Sequence, residues 1–567
     1  MRGHDLPRLE GRRKASIREP GHLRRASGDP TRMAMNNSTS GRSGVGRRRL
    51  LTGTAGLLGL AAFGGVPLLT GCGTADGPSG PPVGPPRPGG RLRSVIAGRS
   101  ATSDVLDPHE AGSSAGGAVS KNVWDKLVAY NNDLTLRYRL ARALEPNADG
   151  SVWRISLRPG VVFSDGSPLT ARDVLWSFER MLDPARASAG DLAVVDMSRT
   201  RAEGDLDVLV AMTTPLADFG SVLAGWYCYI IKAGTTDFDE KTLPVGTGPF
   251  ALAKWSPGDR TLLRRNDRHW DGPAPLDEVE IIQIAETEAR MNAFLSGEAE
   301  VVHEMSYLQA RNLENDPTAT VYVPPEGLMG ALQMRVDLPP FDDVRVRQAM
   351  RLAVDRQAMV DSVYYGYGEV GNDLYGKGAP FYNDTLPQRT YDPQRARELL
   401  RAAGKENLEI TLPTADGMPG MVESATLFAE QAKAAGITVR LESAPADTYF
   451  TQITGKRPLT HIGWWNYSLD YFYGQTGTSS SPSNGTGWRR PAWDAKFAQA
   501  RAAMDPRRRR ELYFELQEEL WHEGGYILHS FAKRPDAARN TVGGMRAGVP
   551  GTDDWANYAT TWLAPQS

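Results

Sequence analysis

Cysteine is nearly absent: Cys72 and Cys228 are the only two in 567 residues, which excludes an internal disulfide framework and a cysteine-based zinc site. Histidine is also scarce. His303-Glu304 and His522-Glu523 lack the second histidine that a helical zinc motif places four residues on, and His109, His269, His461 and His529 stand alone, so no metal or cofactor is expected. Positive charge is short beyond residue 71. The first 71 residues hold 13 Lys+Arg against 4 Asp+Glu, and the remaining 496 hold 52 against 63, a formal −11. A body of that sign repels phosphate backbones and anionic lipid, which argues against nucleic-acid binding. Cys228, in WYCYI, is expected to be a small buried hydrophobe.

Long apolar runs are limited to one. Leu50 to Leu69 is 20 residues without a charge, but Gly53, Gly56, Gly59, Gly64, Gly65 and Pro67 weaken it as a helix, so it reads as a cleaved export signal and not as a membrane span. Arg47-Arg48-Arg49 followed by Leu50-Leu51 resembles the twin-arginine export signal, with Arg47 and Arg48 as the pair. Leu69-Thr70-Gly71-Cys72 resembles a lipobox, in which the chain is cut before the cysteine and Cys72 is acylated. Residues 1–46 are long for the basic region of a signal, and Met33 or Met35 would be a more usual start. Residues 73–90, GTADGPSGPPVGPPRPGG, cannot bury a core. As an extended tether they reach roughly 50 Å at about 3.1 Å per residue.

From residue 91 onward the chain is patterned as an α/β body. RLRSVIAG reads as a strand and NVWDKLVAY as a short helix; VWRISLRPGVVF, residues 152–163, reads as a strand pair turning at Pro159-Gly160. Thr170 starts a helix with Asp173 as its capping-box partner. In YDPQRARELLRAAG, Asp392 is an N-cap, Pro393 the first helical residue and Gly404 the stop. Residues 423–442 read as a helix ended at Gly436 and followed by a strand. Helix, glycine and strand recurring in this way indicate sheets covered by helices.

Several long stretches resemble one family in its own order. GSVWRISLRPGVVFSDGSPLTARDVLWSFERMLDP (150–184), PVGTGPFALAKWSPGDRTLLRRNDRHW (244–270), ETEARMNAFLSGEAEVV (286–302) and PPFDDVRVRQAMRLAVDRQAMV (339–360) are similar to the family 5 extracellular solute-binding proteins, the oligopeptide, dipeptide and nickel receptors of bacterial ABC importers. The stretch from Trp493 to Leu512 also matches, so the resemblance spans about residues 92–540. It implies a bilobal α/β periplasmic-binding-protein-like fold with an extra domain, mixed sheets covered by helices and a ligand cleft between lobes. The expected division is a signal region at 1–71, a tether at 72–90, a discontinuous first lobe from 91–136, 240–328 and 520–567, an extra subdomain at 137–239 and a second lobe at 329–519. The implied role is non-enzymatic. A monomer held by lipid on the outer face of the cytoplasmic membrane closes on a small solute, most simply an oligopeptide, and passes it to permease and ATPase subunits. Gly246, Gly248 and Asp165 in these motifs are expected to be architectural.

In peptide-binding relatives a segment beginning Gly-Trp supplies an acid, four residues after the glycine, that pairs with the ligand ammonium. The corresponding segment is GWWNYSLDYFYG, residues 463–474, and it places Tyr467, or Asn466 if one residue is missing, where the acid belongs. Asp470 is the nearest carboxylate. Trp464, Trp465, Asn466, Tyr467 and Asp470 are therefore the candidate ligand contacts, with only one of the two tryptophans expected to face the pocket because neighbours on a strand point to opposite sides. A sugar or metallophore receptor on the same fold is the first alternative, and a cluster that is simply core is the second. The SSAGGAVSKNVW loop near residue 113 is a weaker pocket candidate. It also contains Gly112-Ser113-Ser114-Ala115-Gly116, the pattern of a hydrolase nucleophile centred on Ser114, which requires a strand before it and a helix after it. A receptor that signals to a sensor is a third role compatible with the same motifs.

Overall fold

The computed structural model describes residues 80–565 apart from 191, 326, 466 and 482. Arg47, Arg48, Cys72, residues 72–79 of the tether and Asn466 lie outside the described residues.

The first sheet has seven strands in the order Ala319–Tyr322, Asp536–Arg539, Val301–Val302, Arg91–Ile96, Glu278–Gln283, Arg260–Arg265, Phe250–Ser256. Arg91–Ile96 is its centre and runs parallel to both neighbours. Leu92, Val95 and Ile96 are fully buried, as a parallel strand covered on both faces requires. The second sheet is antiparallel, in the order Gly368–Val370, Tyr526–Ala532, Leu328–Met334, Leu459–Trp464. A parallel pair, Glu409–Thr414 with Thr438–Ser443, lies beside it and is joined by the helix Met421–Lys433. A third sheet, Ala141–Pro146, Val152–Leu157, Asp207–Ala211, Arg201–Ala202, carries the helix Ala171–Met181. The molecule is thus an α/β protein of two lobes with an additional four-stranded sheet.

The chain passes between the first and second sheets twice, after Tyr322 and after Ala532. At Gly327 the two passages touch: a Cβ added there would stand 2.7 Å from the carbonyl carbons of Phe531 and Ala532. Since Tyr526–Ala532 pairs with Leu328–Met334, we place the return crossing at residues 533–535 and not before residue 520.

Local chemistry explains most element ends. Thr170 N–H and hydroxyl both donate to the Asp173 carboxylate, at 2.7 and 3.0 Å, closing the capping box. Asp392 accepts from the Arg395 N–H, Pro393 opens its helix and Gly404 ends it at φ +68°. Gly436, at φ +77°, separates Met421–Lys433 from the strand beyond it. Gly246 is architectural by close approach, because a Cβ there would lie 1.9 Å from the Val123 carbonyl oxygen. Cys228 is buried, with its thiol on the Val222 carbonyl.

Two expectations are corrected. NVWDKLVAY is not a helix of its own: Asn122 and Val123 end the helix Ser114–Val123, and Val128–Tyr130 pairs as a strand with Leu136–Tyr138. The apolar spacing there serves two elements, and buried Asp125, which accepts from Arg139, Thr247 and Trp270, stands at the break. Residues 152–163 do not form a hairpin at Pro159-Gly160. Val152–Leu157 lies between Ala141–Pro146 and Asp207–Ala211, and Val162 makes only a single bridge to Pro168.

Candidate functional site

The strand Leu459–Trp464 ends where the second sheet meets the first lobe, and the helix Leu469–Thr476 begins five residues later with Ser468 as its N-cap. The aromatic cluster is therefore split between two elements. Most of it is core: Tyr467, Phe472 and Tyr473 are buried, and Phe472 stacks on Tyr375 with ring centres 3.5 Å apart. Trp464 points into this core and meets Phe472 edge-on at 5.7 Å. Trp465 also packs against this core, and the Arg534 guanidinium lies over its ring at 5.2 Å. The Tyr375 hydroxyl donates to the Trp465 carbonyl and accepts from the Tyr467 N–H, which pins the turn.

Tyr467 closes the other side. A methyl group added at Gly551 would stand 3.4 Å from the Tyr467 ring and 3.9 Å from the Trp226 ring, so aromatic side chains of the two lobes approach one another across the Gly551 backbone. Further along, the Ala217 N–H donates to the Arg501 carbonyl at 2.7 Å, joining the third sheet's subdomain to the helix Pro491–Ala502. The lobes are in contact in this structure.

Asp470 is not presented to the cleft as a free acid. Its oxygens accept from Arg501 Nε at 2.9 Å and Nη2 at 3.1 Å, and Oδ1 also accepts from the Tyr513 hydroxyl. The same carboxylate borders a cavity of about 360 Å³ between the subdomain and the second lobe, lined also by Asp218, Phe381, Arg501 and Arg509. Burial raises the Asp218 carboxyl, and the neighbouring Asp470 adds to the effect.

The first lobe contributes residues that the motif pattern did not single out. Glu304, just beyond the short strand Val301–Val302, is 3% exposed, and its Oε1 accepts from the Ser114 hydroxyl at 2.6 Å and forms an ion pair with Arg534 Nη1 at 3.3 Å. Its neighbour His303 donates or accepts at both ring nitrogens, to Asp536 at 2.8 Å and to Tyr558 at 3.0 Å. Arg534 sits in the return crossing. One signal for Glu304 was available in the sequence: a charged residue two positions after an apolar pair that ends a strand, near the position at which open α/β sheets place ligand groups. Ser114 is the first residue of its helix, but residues 97–113 before it contain only turns, so the strand required by a nucleophile elbow is missing. Its hydroxyl serves the Glu304 carboxylate. Among the described residues no group of three or more His, Cys, Asp and Glu is placed to hold a metal ion, and no helix is long and apolar enough to cross a membrane.

Two lobes, paired crossings and facing aromatic and charged side chains define a solute-binding receptor. Residues 135–486 match the family model described as bacterial extracellular solute-binding proteins, family 5 Middle, and the chain belongs to that family. Its members are transport binding proteins that deliver solutes to ABC permease and ATPase subunits, and they are not enzymes. The chain is 25% identical over 453 residues to the glutathione-binding protein GsiB of Pectobacterium atrosepticum, covering 77% of this chain and 88% of the relative. Among solved structures it resembles the DppA periplasmic binding protein of Helicobacter pylori in complex with the peptide STSA, with TM-score 0.72, 22% identity and coverage of 84% and 99%. NikA of Staphylococcus aureus in complex with Ni(L-His)2 is similar in fold as well, with TM-score 0.71, 18% identity and coverage of 83% and 99%.

Proposed function

We propose that this receptor captures a short peptide. The carrying observation is that an acid and a base, Glu304 and Arg534, stand together beside an aromatic face, Trp465, where the two lobes meet. A peptide presents charged ends and an amide backbone to such a surface, whereas a neutral sugar leaves a desolvated charge pair unused. The peptide and glutathione named for the relatives agree with this reading, and the nickel–histidine complex of NikA is the competing class. A ligand touching both lobes stabilises the closed state by its differential affinity for closed over open, which is the form an importer would read.

In the same reading Trp465 and Tyr467 line the ligand, Trp464 and Asp470 support the wall, and Asn466 remains a candidate contact by its place in the sequence. Cys72 carries the lipid and residues 72–90 hold the receptor at the outer face of the cytoplasmic membrane after export directed by Arg47 and Arg48. The lobes divide as the sequence leads one to expect, except for the return crossing at 533–535.

The test is thermal shift of the purified protein against peptide, saccharide and nickel–histidine panels, with scattering on each hit. A ligand at 100 times its Kd adds about 2.7 kcal/mol to stability. Stabilisation and compaction by at least one peptide are expected. A response to saccharides alone, or to the nickel complex alone, would defeat the peptide assignment.

A further inference from the structure

We infer that Glu304 and Arg534 together hold a zwitterionic α-amino-acid head, an ammonium and a carboxylate carried on one carbon; this rests on the peptide reading. Glu304 is one acceptor short. Its Oε1 is occupied by Ser114 and Arg534, but Oε2 is buried and has no hydrogen-bond partner among the described residues, although an ionised carboxylate accepts at both oxygens. Arg534 is one donor short, because its Nε is buried and unpartnered in the same way. Arg290 Nε beside them is unpartnered too, but the unpartnered acceptor and the Arg534 donor belong to one ion pair.

The backbone supports a functional reading. Glu304 has φ +59°, uncommon for a residue with a side chain, and it is held there by its N–H on Asp536 Oδ1 at 2.9 Å and by its carbonyl on Arg290 Nη2 at 2.9 Å. Other nearby acids have their partners: Asp470 is bound by Arg501 and Tyr513, and Asp536 by His303 and the Glu304 N–H.

Charge selects the ligand. Glu304 and Arg534 form an ion pair that is balanced in itself, while Arg290 donates to the Glu304 main-chain carbonyl and has the Glu286 carboxylate near it. A lone cation or a lone anion would unbalance the pair in a buried place. A head bearing both signs does not, and it can donate to Oε2 while accepting from Nε. The γ-glutamyl end of a peptide carries such a head; the amino end of an ordinary peptide carries only the ammonium.

The experiment is calorimetry on the full receptor with γ-glutamylglycine, its N-acetyl derivative and tri-alanine, on the wild type and on Glu304→Gln. We expect γ-glutamylglycine to bind the wild type, acetylation to weaken it about 10- to 100-fold, Glu304→Gln to weaken the free form comparably, and the two changes together to do little more than either alone. Equal affinity for free and acetylated γ-glutamylglycine overturns the inference on the wild type alone, whatever the variant's folding. Binding of tri-alanine without γ-glutamylglycine overturns it and leaves the peptide reading standing. Binding of no peptide overturns both.

Discussion

The Arg534 guanidinium carbon lies 5.2 Å from the centre of the Trp465 ring, so a residue of the return crossing rests on the first residue beyond the second lobe's edge strand. Trp464, its neighbour, meets Phe472 edge-on in the core.

Substituting the two tryptophans should separate binding from stability. Trp465→Ala removes the ring under Arg534 and is expected to weaken peptide affinity about 3- to 30-fold with little change in the unfolding midpoint. Trp464→Ala opens a void against Phe472 and is expected to cost about 3 kcal/mol of stability. Calorimetry paired with urea unfolding checks both, and equal loss of affinity in the two variants would contradict these roles.

Asp470→Asn tests whether that acid serves the fold or the ligand. Its carboxylate is 8% exposed and paired with Arg501, so the substitution should destabilise the protein by about 3 kcal/mol through an uncompensated guanidinium. Discrimination between free and acetylated peptide should stay unchanged. A selective loss of affinity for the free form would make Asp470 the ammonium partner instead.

Stability should fall in mild acid. Burial lowers His461 to about 3, and burial with His461 and Arg356 nearby lowers His529 to about 3. An unfolded histidine titrates near about 6.5. As pH falls below that value the unfolded chain gains protons that the folded chain refuses, so stability is complete above about pH 6.5 and declines toward pH 3 by about 1.4 kcal/mol per pH unit for each imidazole. Asp373 acts in a lower window: burial pushes its carboxyl up, but Arg356 and Arg389 outweigh this and hold it below the usual range, so its contribution is lost only below about pH 4. Urea unfolding at pH 7.5, 6 and 5 measures the first window, and His461→Gln with His529→Gln should make it shallower, with buried His109, lowered to about 4, still contributing. A midpoint that is level from pH 7.5 to 5 in the wild type would contradict the prediction.

Gly327→Ala should loosen the paired crossings. The added methyl would meet main-chain carbonyl carbons of Phe531 and Ala532 that cannot rotate away, and overpacking of this kind costs about 1–3 kcal/mol. Unfolding and ligand-induced compaction, measured together, check it. A variant as stable as the wild type would show that the crossings separate easily.

The amino-acid sequence alone determined what depends on neighbours along the chain. The capping box of Thr170 and Asp173, the Asp392-Pro393 helix start and the stops at Gly404 and Gly436 are decided by backbone donors and acceptors a few residues apart, and the family motifs are dense in such signals. Where a local pattern had two solutions, as at 122–130, tertiary pairing chose: Val128–Tyr130 found Leu136–Tyr138, and the helix ended early. Only the tertiary structure decided the site. Ser114 and Glu304 are 190 positions apart and Arg534 lies far beyond both, yet one carboxylate oxygen joins them. Nothing in local spacing encodes that meeting, because it arises when two crossings bring the end of a first-lobe strand against a second-lobe turn, and it is burial there that leaves Glu304 Oε2 without a hydrogen-bond partner among the described residues.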